Sequence, residues 1–337
     1  MNARFCSPEA APRSPAGPAR LLARLLASLF ALSLACLPLA ATAQTAGWPR
    51  TILHETGELV LNAPPQRIVS TSPSLTGTLL AIKAPLVATA TAMGGRLTDT
   101  TGFFNQWAKV AQDQGVIPLY TDLEFDIESL ILSDPDLVIA SATGGDSILP
   151  FVPELESLGY PVLVLDYSVN AWEDLARKLG QATDRTAEAE AVIADFTRQA
   201  EQARTRITRP EGTVSIVSYN FFGTYGVSKP QSTQARVLRE MGFTVTGLPA
   251  AMGPLVTRSR EFDFVSHENL PASITGDSIF LLAADAADVK TFVADPVLAN
   301  LPAVKQGRVY PLGPSSFRVD YYSGLEMIDA VTGLFAK

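Results

Sequence analysis

The stretch RTAEAEAVIADFTRQAEQARTRI, residues 185–207, contains neither glycine nor proline. Val192, Ile193, Phe196, Ala200, Ala203 and Ile207 recur three or four apart, while Glu188, Glu190, Arg198, Glu201 and Arg204 fill the other positions. That is the pattern of an amphipathic helix, about 34 Å long at the usual rise per residue. The breaker TRPEG at 208–212 ends it. Short apolar runs alternate with helical segments on both sides. Before the long helix stand PLVATAT (85–91), DLVIASA (136–142) and PVLVLDY (161–167), and after it TVSIVSY (213–219), SIFLLAA (278–284) and RVYPLG (308–313). Helix-like segments lie at 126–133, 172–180, 232–242 and 322–335. Continuous apolar strands alternating with helices predict parallel sheets covered on both faces. The two flanks also echo one another, IESLILSDPDLVIAS (127–141) against HENLPASITGDSIFLLAA (267–284). The fold class expected is α/β, with two Rossmann-like lobes, residues 44–184 and 208–337, joined by one backbone helix, 185–207. A single continuous doubly wound sheet with a long surface helix is the competing arrangement.

The N-terminus reads differently. Arg4, Arg13, Arg20 and Arg24 precede or enter the apolar run LLASLFALSLACLPLA, which ends in small residues, ATA, before Gln44. A positive flank, an apolar stretch of that length and an A-x-A site predict a secretory signal peptide over residues 1–43. The formal net charge of the chain is −8. Removing a segment with four arginines and one glutamate leaves the rest more acidic still. Both cysteines, Cys6 and Cys36, fall in that segment, so the exported chain has no disulfide available and must rely on its core. An acidic chain without a basic run argues against nucleic acid as a partner.

The chemistry the sequence lacks is informative. His54 and His267 are the only histidines, too few for a metal site built from several imidazoles. Hydrolase, dinucleotide and P-loop signatures are absent. What remains is binding, and loops after strands are where α/β sheets bind ligands. AMGGRLTDTTGFF (92–104) carries Arg96 beside Phe103 and Phe104, and NFFGTYGVS (220–228) carries Phe221, Phe222 and Tyr225 among glycines. GPLVTRSREFDF (253–264) supplies Arg258 and Arg260, and GPSSFRVDYY (313–322) supplies Arg318. Guanidinium forks bond anionic oxygens and stack on rings, and aromatic side chains offer a face to a flat ligand. The recurrence of both in corresponding loops predicts a local cationic pocket for an anionic, aromatic ligand. The competing assignment for each arginine is a solvated charge, or a pair with Asp99, Glu261 or Asp320.

WPR (48–50), PPQRIVSTSPSLTGTLLAIKAPLVAT (64–89), DLVIASATGGDS (136–147), HENL (267–270) and LPAVKQGRVYPLGPSSFRVDYYSGLEMID (301–329) together resemble the periplasmic ferric enterobactin-binding proteins of Gram-negative bacteria. These belong to the helical-backbone class, class III, of substrate-binding proteins that feed ABC importers. The resemblance implies a non-enzymatic, monomeric periplasmic protein that captures an iron-loaded catecholate siderophore between its lobes. It implies no resident cofactor, because the catecholate oxygens already fill the iron's shell. It places Arg96 and Arg318 at the ligand, with Arg258 or Arg260 as a third basic contact. Tyr225 or Phe222 stands where the family has a tryptophan. For the permease and ATPase complex it implies one acidic docking residue on each lobe, Glu268 on the second and Asp146 on the first; the competing roles are helix charge for Glu268 and a helix cap for Asp146. Another siderophore, haem or cobalamin in the same fold, or an exported α/β enzyme, are the alternatives.

Overall fold

Two sheets form where the sequence carries its apolar runs. The structure is a computed structural model that describes residues 47–337, apart from the side chains of Pro254, Leu255 and Arg258. The secretory segment expected at 1–43 lies outside the described residues. Chain entry is a hairpin, β1 (Arg50–His54) and β2 (Gly57–Leu61), with His54 opposite Gly57. The first sheet contains β3 (Ile68–Ser70), β4 (Leu86–Thr89), β5 (Ile117–Pro118), β6 (Leu137–Ser141) and β7 (Val162–Leu165) in the order β5-β4-β3-β6-β7, all parallel. Every residue of β3, β6 and β7 is buried, as strands covered on both faces must be.

The second sheet comprises β8 (Thr213–Phe221), β9 (Thr224–Ser228), β10 (Thr244–Val245), β11 (Thr257–Arg258), β12 (Phe262–Val265), β13 (Ser278–Leu281) and β14 (Val309–Pro311). β8, β10, β13 and β14 pair in parallel, whereas β8, β9, β12 and β11 form an antiparallel meander. This corrects the expectation of parallel sheets throughout. Phe222 and Gly223 both have positive φ, 48° and 76°, the requirement of the two-residue turns that close hairpins. NFFGTYGVS therefore folds back on β8 instead of leading into a crossover helix.

Between the sheets runs the helix Thr186–Arg206, 21 residues and about 32 Å. It buries Ala189, Ile193, Phe196, Ala200 and Ala203 against the helices Trp172–Thr183 and Tyr321–Phe335. Phe196 is the pivot: its ring packs edge-on to Trp172 with centroids 5.1 Å apart. A Cβ at Gly324 would lie 2.6 Å from the same ring, so glycine is what lets the last helix come this close. The last helix also packs on Pro73–Ala81 and Asn105–Asp113 of the first lobe. A boundary at residue 208 thus divides the sheets but not the packing. Asp320 caps this helix through Ser323 and is buried, which raises its carboxyl to about 6.

Candidate functional site

In the first sheet the strand order reverses between β3 and β6, and ligands bind outside the carboxyl ends of strands at such a switch point. Here those ends are built of buried hydroxyls. Ser72 Oγ donates to Asp146 Oδ2 at 2.5 Å, Tyr167 OH donates to Asp146 Oδ1 at 2.7 Å, and the hydroxyls of Thr76 and Thr89 are 2.6 Å apart. Burial pushes the Tyr167 hydroxyl up to about 12, so it remains a donor to Asp146. Gly144 has φ +84° and any Cβ there would overlap the Tyr167 hydroxyl, so the SATGGDS turn needs glycine at this point.

Facing these ends is a cavity of about 490 Å³. Thr143 and Ser168 of the first lobe line it, and the second lobe supplies Phe221, Phe222, Phe264, Phe317, Arg260 and Arg318. Phe221 touches both Phe222 and Phe317, with centroid separations of 4.5 and 4.6 Å. Phe222 is 80% exposed. A bulky residue that is both exposed and left-handed marks a conformation imposed by the surrounding chain, and such residues cluster at binding sites.

The three arginines with described side chains differ. Arg318 stacks over Phe317 at 4.3 Å and over Tyr167 at 4.7 Å. Its Nε is buried without a hydrogen-bond partner, and it has no ion pair among the described residues. Arg96 instead lies 2.7 Å from Asp288 and 3.3 Å from Asp285. Arg260 lies 2.6 Å from Asp166. The competing partners Asp99, Glu261 and Asp320 are engaged elsewhere: Asp99 with its own turn and Gln112, Glu261 with Thr233, Asp320 with Ser323. The cationic pocket expected from the sequence is therefore largely neutralised by carboxylates from the opposite lobe.

Several expected site residues sit elsewhere. Phe103 is 1% exposed and packs on Trp107 in the core; its neighbour Phe104 lines the crevice beside Arg318. Tyr225 alternates with Thr224 along β9, so while Thr224 faces the cavity Tyr225 packs edge-on to Tyr219 and tilted against His267 on the opposite face. Asp146 is buried beneath Ser72 and Tyr167, presents no carboxylate to a docking partner and caps no helix. Glu268 is exposed on the turn His267–Asn269, its carboxyl held below the ordinary range by its own backbone amide and Ser266. Arg258 falls outside the described side chains; its backbone pairs with Asp263. Asp166 and Tyr167 were legible as the residues following the run VLVL, at a strand's carboxyl end. Among the described residues no group of three His, Cys, Asp or Glu side chains is placed to hold a metal ion.

Residues 68–315 match a family model described as periplasmic binding protein. The chain is 38% identical over 299 residues to the ferric enterobactin-binding periplasmic protein FepB of Escherichia coli O6:H1, covering 88% of this chain and 93% of that relative. Among solved structures it superimposes on holo-ViuP with a TM-score of 0.78 and 34% identity, covering 86% of this chain and 96% of that one. The Staphylococcus aureus SirA complex with staphyloferrin B shares the fold, with a TM-score of 0.64, 17% identity, and coverage of 84% and 97%.

Proposed function

This chain belongs to the family of periplasmic binding proteins, and from that membership and the cleft we propose that it captures a ferric catecholate siderophore of the enterobactin type and delivers it to an inner-membrane ABC importer. The observation that carries the ligand class is Arg318. Its guanidinium stacks on two rings at the cavity wall and, among the described residues, carries no ion pair, so its charge is left for an anionic oxygen of the ligand. Phe221, Phe222 and Phe317 form an edge-to-face and tilted cluster of rings at the cavity wall. A tris-catecholate brings both the negative charge and the rings.

Iron is cargo in this reading. The siderophore occupies its coordination shell, so the protein recognises the outer surface of the complex, binds without turnover and needs no metal ligands of its own. Arg96 and Arg260 act as secondary anion contacts from the two rims. Glu268, exposed at the surface of the second lobe, is the residue offered to a permease arginine.

The test is tryptophan and tyrosine quenching of the protein purified from the periplasm, titrated with ferric enterobactin, ferrichrome, haem and cobalamin. One-to-one saturation by the catecholate is expected. Arg318→Ala should weaken it about 10- to 100-fold, the range of a charge-assisted hydrogen bond. Unchanged affinity in that variant, or preference for cobalamin or haem, would overturn the assignment.

A further inference from the structure

Two arginines of the cleft are tied across the gap between the lobes, and the ties run in opposite senses. Arg96, on the loop after β4, reaches the capping box of helix Ala286–Ala294, where its guanidinium meets Asp288 at 2.7 Å and Asp285 at 3.3 Å. By donating to Asp288 it holds that carboxyl below its ordinary range. Arg260, on the turn between β11 and β12, reaches back to Asp166 at the end of β7, 2.6 Å away. Asp166 is 9% exposed at its side chain, and its other oxygen accepts from the amide and hydroxyl of Ser168 at 2.8 and 2.6 Å. Three carboxylates thus face two arginines, and an incoming anion finds those cations occupied.

We infer that Asp166 and Asp288 are the specificity-determining carboxylates of the cleft: they clasp the lobes together when it is empty and release their arginines only to a ligand carrying enough negative charge to replace them. The inference rests on the siderophore reading above. Arginine's planar fork accepts a pair of catecholate oxygens in the geometry in which it accepts a carboxylate. The side chains of Arg96 and Arg260 are 48% and 59% exposed, so water screens each pair and its arginine can exchange partners. A neutral ligand offers the two arginines no anionic acceptor, so it gains nothing to offset the ion pairs it would break. The clasps therefore screen ligands by charge where the aromatic wall alone would accept any flat ring.

The experiment uses Asp166→Asn, Asp288→Asn and the double variant, with Glu261→Gln as a comparison that removes one charge from the same wall, where Thr233 donates to it. Both cysteines lie within residues 1–43, so spin labels on Gln114→Cys and Lys290→Cys report the lobe separation cleanly. The distance distribution in the ligand-free double variant should widen. Affinity for ferric enterobactin should rise about fivefold for each clasp removed, the ratio an exposed ion pair supplies, with a clearly smaller gain for Glu261→Gln. An unchanged ligand-free distance, a fall or no change in affinity, or an equal gain in Glu261→Gln overturns the inference. If the wild-type protein takes up no ferric catecholate, the functional reading fails, and the ligand-free distance alone decides whether the clasps exist.

Discussion

The two walls of the cleft solve different problems with different residues. The first lobe ends its parallel strands in Ser70, Thr71, Ser72, Thr89 and Ser141, all buried and each hydroxyl hydrogen-bonded, Ser72 to Asp146, Thr89 to Thr76, and Ser70, Thr71 and Ser141 to backbone carbonyls. The second lobe folds β8, β9, β12 and β11 into an antiparallel meander and faces the cleft with Phe221, Phe222, Phe262 and Phe264. A satisfied buried polar network is rigid and fails when one member is lost. Of the rings, Phe221, Phe262 and Phe264 pack into or against the core, while Phe222 at the hairpin turn is exposed and open to a ligand. The two walls differ in kind: the first lobe presents a platform of buried, hydrogen-bonded hydroxyls and the second a surface faced with aromatic rings.

The seam between the walls should show the largest effect. Asp320 caps the last helix while lying against the first-lobe helix that carries Gly77. Its folded carboxyl stands at about 6 because burial disfavours the charge. The folded state therefore holds this proton more tightly than the unfolded chain, and stability falls as pH rises from about 4 to about 6. The loss amounts to about 3 kcal/mol. Asp320→Asn keeps the cap acceptor and should flatten that part of the profile in urea titrations; an unchanged slope would place the titration elsewhere.

Next comes the hydroxyl wall itself. Asp146→Ala leaves the Ser72 and Tyr167 hydroxyls without their acceptor and should destabilise by about 1–3 kcal/mol, read as a lower denaturation midpoint. A neutral result would mean the lattice reorganises around water. The smallest stability change belongs to the aromatic wall. Phe222→Gly relieves a positive φ and should leave the unfolding free energy unchanged or raise it by up to about 1 kcal/mol, while weakening ferric enterobactin binding. If Phe222→Gly lowered stability and left binding intact, the division between the walls would be wrong.

Much of this molecule was legible in one dimension. The long helix follows from uninterrupted three-and-four spacing, and the first sheet follows from apolar runs whose every residue is buried, because burial on both faces leaves no room for alternation. Arg318 and Phe222 stand out as a cation and a ring in glycine-rich or small-residue loops after strands. The antiparallel meander was not legible, since a left-handed Phe222 is a backbone state that the residue type does not announce. Nor was the side on which Tyr225 falls, which one residue of register decides.

Periodicity and turn chemistry act over a few neighbouring residues, so the elements, their alternation and the residue types available to the cleft are already written along the chain. Which charges meet is settled in three dimensions. Asp166 and Arg260 are 94 positions apart, and Arg96 and Asp288 are 192 apart. Coulomb attraction acts on distance in space, which the chain sets only once both lobes have packed around the helix Thr186–Arg206.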